Sequence, residues 1–291
     1  MYIAENHISS ESALLPENNL YFSDLKPAVI DIETTGLSSA RDRIFLIGVL
    51  SQDEEGLKIT QFLASDYDEE PDLLQSFFDF TKHFELFLNY NGSAFDIPFI
   101  NKRSGRLRLN RILEPCRSVD YLRIFKASYL PELLPNLKLK TVEQFAGIRR
   151  KDTISGKDCI SLFEKFARTN DKEAGRKLLL HNYEDLSCFP CLNRIIGKID
   201  LHSALNTLGF PVKTAAGIFF VQSVKTQSGL IKAAGAVPDC KMDWMLYEED
   251  FTLLSDSKTK TFTLDIRAEI SAAEPRVQNL LIRDTLQGIR F

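Results

Sequence analysis

Two acidic side chains lie two residues apart inside an apolar segment near the start of the chain. Asp31 and Glu33 interrupt the largely apolar run 28–37, which turns at Gly36. Residues two apart in an extended strand project from the same face. Two charges about 5 Å apart repel by roughly 3 kcal/mol at an effective dielectric near 20, and a divalent cation removes that repulsion. All-oxygen ligands favour Mg²⁺ or Mn²⁺, although a water-facing strand without any ligand is an alternative.

A third carboxylate follows a second apolar run. Phe84 to Leu88 is strand-like and leads to the turn residues Asn91 and Gly92, after which Asp96 opens a new apolar segment. An Asp at the start of a helix is most often only a cap, so Asp96 alone does not indicate a ligand.

The fourth carboxylate lies in a long helical pattern over 171–199, which the sequence predicts to begin with a capping box at Asn170 and Glu173. His181 and Asp185 are four residues apart and share one face of this helix. Leu178 belongs to the same face, which places the pair at the edge of a buried stripe.

Taken in order, the three segments resemble the exonuclease motifs of the DEDD superfamily of 3′–5′ exonucleases, which have a ribonuclease H-like fold. The pattern N-Y-N-G-x-x-F-D-x-P, here 89–98, is similar to bacterial YprB-like ribonuclease H-like domains and to the proofreading domains of B-family polymerases. The segment 137–147 also resembles the YprB-like pattern. The resemblance covers about 26–197.

The resemblance implies a two-metal phosphodiesterase that uses Mg or Mn. Its metal ligands would be four carboxylates: Asp31, Glu33, Asp96 and Asp185. The family also carries a Tyr four residues, or a His five residues, before its last Asp, and this residue orients or deprotonates the attacking water. His181 stands four residues before Asp185, which departs from both patterns. We predict that His181 acts on the water, and simple packing or a backbone hydrogen bond is the alternative.

Substrate contacts are expected around these motifs. Thr34 and Thr35 would offer backbone N–H groups to a terminal nucleotide, Leu37 would wedge against its base, and Asn91 would orient Asp96 or the substrate. Five basic residues without an acidic one occupy 101–111, led by Lys102 and Arg103. They are expected to guide the phosphates of single-stranded DNA or RNA, and a solvated loop is the alternative.

The composition limits the class of protein. The 291 residues are 44% hydrophobic and 26% charged, with a net charge of −4 that does not indicate nucleic-acid binding. No run is long and apolar enough for a membrane span, and no secretory signal is recognised. Five cysteines favour a reducing, cytoplasmic location. Cys188 and Cys191 have the spacing of a redox or zinc motif, but no second ligand pair accompanies them.

The hydrophobic patterns predict an α/β fold with a small β-rich C-terminal domain or extension. This agrees with the ribonuclease H-like mixed sheet flanked by helices that the resemblance implies. Strands are expected at 28–33, 44–50, 57–63, 85–90 and 119–124, helices at 71–83, 138–147, 158–168 and 171–199 with a bend at Pro190, and hairpins at 218–225/230–237 and 244–253/261–270. The expected domains are an N-terminal arm at 1–25, the nuclease domain at 26–199 and the C-terminal domain at 200–291.

Three other functions fit the same sequence. A nucleic-acid-binding module with a decayed site would explain the unusual position of His181. An endonuclease of the ribonuclease H-like group would cut internally. The C-terminal domain would recruit a protein partner if the nuclease works in a complex.

Overall fold

A computed structural model describes residues 1–8, 14–15, 21–22, 24–150, 154–227 and 229–267, with the backbone of 269–271 and 279–281. The chain divides into two compact units, Met1–Leu201 and His202–Phe291. The strands of the first unit are β1 Tyr2–Ile8, β2 Pro27–Thr34, β3 Ile44–Asp53, β4 Gly56–Leu63, β5 Leu86–Asn89 and β6 Ser118–Asp120. Its helices are α1 Glu70–Thr81, α2 Asp96–Arg106, α3 Tyr121–Lys126, α4 Leu130–Leu133, α5 Leu139–Phe145, α6 Gly156–Thr169, α7 Lys172–Ser187 and α8 Asn193–Ile196.

The first unit is built on one mixed sheet. Its strand order is β1-β4-β3-β2-β5-β6. The first four strands in this order pair antiparallel, whereas β5 pairs parallel to both β2 and β6. The predicted fold class, a mixed sheet flanked by helices with further β-structure at the C-terminus, is confirmed. The first residues of the chain add the edge strand β1, which the weak pattern of 1–25 did not predict.

The central strands β2 and β3 contribute buried residues to the hydrophobic core. Residues 44–51 of β3 are all buried, as expected for a strand covered on both faces. Phe45 of β3 stacks on Phe163 of α6 with ring centroids 4.3 Å apart. Leu73, Leu74 and Phe77 of α1 complete the same core. A rigid sheet therefore holds the end of β2, where Asp31 and Glu33 lie.

The helix predicted over 171–199 is shorter in the structure, where α7 covers Lys172–Ser187, and a different residue caps its start. Asp171, not Asn170, caps α7, because its side chain accepts hydrogen bonds from the N–H groups of Glu173 and Ala174. Asn170 instead ends α6 in the left-handed conformation. The helix ends at Ser187, and Pro190 lies in a separate 3-10 turn, since proline interrupts the helical hydrogen bonds.

The strand predicted at 119–124 is also only partly right. The strand β6 stops at Asp120, whose carboxylate accepts the N–H of Leu122 and so caps the helix α3. Capping took precedence over the β-propensity of the residues that follow.

The second unit contains a six-stranded antiparallel sheet and, in the part that the structure describes, most of the helix α9 Leu201–Leu208, which the sequence did not predict. Its strands are β7 Phe210–Thr214, β8 Gly217–Gln227, β9 Leu230–Ala236, β10 Trp244–Tyr247, β11 Phe251–Asp256 and β12 Thr261–Arg267; a further two-stranded pair is β13 Glu269–Ser271 and β14 Asn279–Leu281. The predicted strand 244–253 is in fact two strands, β10 and β11, that pair with each other. Among the described residues no helix is long and apolar enough to cross a membrane.

Candidate active site

Three of the four predicted metal ligands converge. Asp31 and Glu33 come from β2 and Asp185 comes from α7, more than 150 residues further along the chain. One carboxylate oxygen of each lies within 4.8 Å of the others. Glu33 is buried, whereas Asp31 and Asp185 are half-buried and open the cluster to solvent. The strand and the helix thus bring three anions to one point.

Asp96 lies beside this group as the first residue of α2. Its Oδ1 accepts a hydrogen bond of 3.0 Å from the N–H of Ile32, which lies between Asp31 and Glu33 in β2. The turn before it is held by Asp120, whose carboxylate accepts the N–H groups of Asn91 at 2.8 Å and Ser93 at 3.3 Å. Asp120 therefore supports the turn that positions Asp96.

The carboxylates strongly perturb one another. Burial raises the pKa of Asp31 well above its usual range, and the charges of Asp185, Asp96 and Glu33 raise it further, while a hydrogen bond from Asn182 lowers it. Burial likewise raises the pKa of Asp96 to about 7. Such shifts are typical of sites that are built to receive a cation.

His181 belongs to the same cluster. Its side chain is buried, and its Nε2 lies 3.4 Å from Oε1 of Glu33 and 3.7 Å from Oδ2 of Asp185. The four-residue spacing on α7 therefore places the imidazole between two carboxylates at the predicted metal site.

Two further charged residues, whose role the sequence did not predict, are linked to Asp185. Arg150, which follows α5, forms an ion pair with Asp185. It also donates to Glu143 of α5 through Nε at 2.6 Å and through Nη2 at 2.5 Å. The Arg150 side chain is only 7% exposed and that of Glu143 only 1%. Glu143 lies within the segment 137–147 that resembles the YprB-like pattern. Arg150 lies beyond the end of α5, so their seven-residue spacing does not place them on one helix face.

One residue of the basic run after the second motif is used inside the protein. Arg103 lies buried between α1 and α2, where its guanidinium pairs with Glu70 through bonds of 2.8 and 2.5 Å. Because this guanidinium is buried and donates to Glu70 and, at 3.5 Å, to the Ser39 carbonyl, it is not available as a phosphate guide. Lys102 lies on the exposed face of α2. We therefore keep only Lys102 of this pair as a candidate.

The other candidate substrate residues surround the end of β2. The N–H of Thr35 donates to the carbonyl of Arg43 at 2.9 Å and so does not point to a nucleotide. The Thr34 hydroxyl donates to the Gly36 carbonyl at 2.7 Å and stabilises the turn. Leu37 is 86% exposed, an unusual state for a large apolar side chain. Asn91, with φ of 68°, is exposed in the turn before Asp96.

Cys188 and Cys191 do not form a metal site with other ligands. Within the described part of the chain, neither belongs to a group of three or more potential ligands. Burial raises the pKa of the Cys188 thiol to about 11, which disfavours the thiolate that redox and zinc chemistry need.

Comparison with known families agrees with this fold. Residues 28–194, more than half of the chain, match the family described as the RNase H superfamily. The chain belongs to the RNase H superfamily. An uncharacterized protein of Methanocaldococcus jannaschii is 32% identical over 164 residues, which are 55% of this chain and 88% of that protein.

A family B DNA polymerase from the hyperthermophilic archaeon Pyrobaculum calidifontis also aligns in structure, with a TM-score of 0.46 and 17% identity. The alignment covers 59% of this chain but only 24% of the polymerase. A likeness at this level carries no argument about activity.

The donor set of this RNase H superfamily member fits a divalent metal ion. Asp31, Glu33 and Asp185 supply only carboxylate oxygens, the ligands that Mg²⁺ and Mn²⁺ prefer. Their mutual repulsion, which raises the pKa of Asp31, is the cost that a bound cation would offset. Nucleases of the RNase H superfamily generally use divalent metals.

A buried amide network fixes the orientation of Asp31. Asp31, Gly48 and Gln61 form one row across β2, β3 and β4, and Asn182 of α7 lies over it. The Asn182 Nδ2 donates to Oδ2 of Asp31 at 2.8 Å, and its Oδ1 accepts from Nε2 of Gln61 at 2.8 Å. A Cβ at Gly48 would lie 2.2 Å from that Oδ1, so glycine is required in the middle of the row.

Replacing Asn182 by Ala is expected to weaken Mg²⁺ binding about 10- to 100-fold, the usual effect of losing a residue that orients a metal ligand. Calorimetric titration of Mg²⁺ checks this result. Asn193→Ala is the matched control, because Asn193 bonds the Tyr121 hydroxyl away from the cluster. Equal Mg²⁺ affinity in the two variants would show that Asn182 does not orient Asp31.

The raised pKa values of Asp31 and Asp96 make the stability of the metal-free protein depend on pH. Between the ordinary carboxyl pKa near 4 and the folded values, the folded state holds protons that the unfolded chain has released. The free energy of unfolding should therefore fall as the pH rises from about 5 to 7.5. Urea unfolding with a chelator checks the slope, and saturating Mg²⁺ should flatten it. A stability that rises over this range would contradict the raised values.

Proposed function

We propose that this protein is a metal-dependent nuclease of the DEDD type, closest to the YprB-like group, that removes nucleotides from the 3′ end of single-stranded DNA or RNA. The observation that carries the proposal is the convergence of Asp31, Glu33 and Asp185 within 4.8 Å. Membership of the RNase H superfamily supports a nucleic-acid substrate. The motif order in the sequence supports the exonuclease type.

Each carboxylate has a proposed role. Asp31, Glu33 and Asp185 would hold one ion, and Asp31 with Asp96 would hold a second. Two such ions, when bound, would stabilise negative charge on the phosphate and on the leaving oxygen. His181 would accept the proton of the attacking water, since its imidazole faces Glu33 and Asp185. The cluster opens to solvent on the side of Asp31 and Asp185, where a substrate can enter.

Exposed residues around this opening would bind the end of the strand. Leu37, which is almost fully exposed, would wedge against the terminal base. Asn91 would contact the terminal nucleotide, and Lys102 would contact a phosphate. Residues 26–199 would form this nuclease domain, and residues 200–291 a β-rich domain for a protein partner. The division of the chain after Leu201 supports these boundaries.

A matched panel of 5′-labelled single-stranded and duplex DNA and RNA, incubated with Mg²⁺, Mn²⁺ or a chelator, tests this function. We expect metal-dependent shortening by single nucleotides from the 3′ end of single strands. Internal fragments would show that the protein is an endonuclease and not an exonuclease. Binding without hydrolysis under every metal condition would overturn the enzyme and leave a nucleic-acid-binding module.

A further inference from the structure

A second group of potential metal ligands adjoins the carboxylate cluster and has a different chemistry. Glu33 of β2, Cys159 of α6 and His181 of α7 each offer one ligand atom, and these atoms lie within 4.8 Å of one another. Their exposed fractions are 8%, 0% and 5%. One strand and two consecutive helices thus place a carboxylate, a thiol and an imidazole together inside the protein.

This combination of ligands suits a thiophilic cation rather than Mg²⁺. Cysteine, histidine and glutamate are ligands of tetrahedral Zn²⁺, and many zinc sites have three protein ligands with a fourth position open. Mg²⁺ and Mn²⁺ bind oxygen, and thiolate selects softer metals. The distance of 3.4 Å between the His181 Nε2 and the Glu33 Oε1 is close to the edge of a tetrahedron with bonds of about 2.0 to 2.1 Å.

The site is buried but adjoins an opening. Glu33 belongs to both groups of ligands, and its partners in the carboxylate cluster, Asp31 and Asp185, are half-exposed. The shared ligand Glu33 therefore connects the buried group to the partly exposed carboxylate cluster. Ordinary core packing of Cys159 is the competing explanation, because it also belongs to the apolar core around Phe163.

Occupation of this group would remove two residues from the proposed reaction. Glu33 would no longer be available to the carboxylate cluster, and the Nε2 of His181 would be used as a ligand instead of facing the water. We propose that Glu33, Cys159 and His181 form a binding site for a thiophilic divalent cation of the Zn²⁺ class, and that an ion held there blocks the Mg²⁺-dependent reaction. Binding releases the thiol proton of Cys159 to solvent. The inhibitory part rests on the proposed nuclease function, whereas the site itself does not.

Cobalt(II) titration of the full chain tests the site without any nuclease assay, because a cysteine thiolate bound to Co²⁺ gives a near-ultraviolet charge-transfer band. We expect the band in the unmodified protein and its loss in both Cys159→Ser and Cys159→Ala. The double variant Cys188→Ser/Cys191→Ser is the matched control and should keep the band. Added Zn²⁺ should remove the band by displacing Co²⁺.

Two results would overturn the site: no band at saturating Co²⁺ in the unmodified protein, or a band that persists in the Cys159 variants and disappears in the Cys188/Cys191 variant. Two variants at position 159 guard against a folding defect in one of them, and their thermal unfolding without metal is compared first.

Zinc inhibition of Mg²⁺-dependent hydrolysis tests the second half of the proposal. With each protein normalised to its own zinc-free rate, the Zn²⁺ concentration for half inhibition should be at least tenfold higher in the Cys159 variants. Equal inhibition of all proteins would refute the inhibitory role even if the cobalt band behaves as expected. A complete lack of hydrolysis in the unmodified protein would refute the nuclease, while the cobalt titration still decides the site.

Discussion

Replacing Asp31 by Asn should abolish metal-dependent hydrolysis and yet make the metal-free protein more stable. The carboxylate of Asp31 is the one that Asp185, Asp96 and Glu33 all repel, and it is also the proposed ligand of both ions. We expect hydrolysis to fall about a thousandfold or more, since bound ions supply several kcal/mol of transition-state stabilisation. Asn keeps the shape of the side chain and can still accept the hydrogen bond from Asn182.

The expected gain in stability distinguishes a metal-binding carboxylate from a structural one. Asn removes a carboxylate that is disfavoured first by burial and then by its acidic neighbours. A gain of about 1 to 2 kcal/mol should raise the melting temperature without metal by roughly 3 to 6 °C in a unit of this size. The stabilisation that Mg²⁺ gives the unmodified protein should disappear in the variant. Differential scanning calorimetry with a chelator and with Mg²⁺ measures both effects.

Asp53→Asn is the matched control, because Asp53 is an exposed strand carboxylate that bonds only His7 and its own turn. It should leave hydrolysis and the Mg²⁺ effect unchanged. An Asp31→Asn protein that keeps Mn²⁺-dependent hydrolysis, or that melts lower than the unmodified protein without metal, would rule out Asp31 as the central ligand.

The sequence predicted the acidic cluster because two short periods encode it. The i, i+2 spacing in β2 fixes Asp31 and Glu33, and the i, i+4 spacing in α7 fixes His181 and Asp185, while the order of the motifs related them across the chain. The structure brings these groups together, and whether they bind metal remains the prediction stated above. The sequence did not predict the hydrogen-bonded row under Asn182. The glycine on β3 and the asparagine on α7 come into contact only when the helix packs on the sheet.

Arg103 and Arg150 show where local sequence patterns do not predict the role of a residue. Arg103 was interpreted from its basic neighbours, although its position three and four residues after Ile100 and Phe99 already placed it on the buried face of α2. For Arg103, helical spacing predicts the side-chain position better than the charge of its neighbours does. Arg150 follows the short helix α5, which ends at Phe145, so helical spacing does not relate it to Glu143 or Asp185. Its role depends on tertiary distances alone.

Replacing Arg150 by Met should strongly destabilise the protein. Glu143 is almost fully buried and Arg150 is its ion-pair partner, so the substitution leaves a buried carboxylate without compensation. Breaking such a pair from one side typically costs about 3 to 5 kcal/mol. Burial already raises the pKa of Glu143 in spite of Arg150, which indicates how unfavourable the isolated charge would be. The free energy of unfolding in urea measures the loss.

A second substitution separates the unpaired charge from lost packing. The double variant Glu143→Leu/Arg150→Met replaces both charges by apolar groups and should recover most of the stability, because well-packed apolar pairs often match a buried ion pair. Arg176→Met, which breaks an exposed pair with Glu173 on α7, should cost no more than about 0.5 kcal/mol. If Arg150→Met cost no more than this control, the buried pair would not exist in solution. A double variant as unstable as Arg150→Met would mean that packing of the long side chain, and not its charge, holds the segment after α5 against the site.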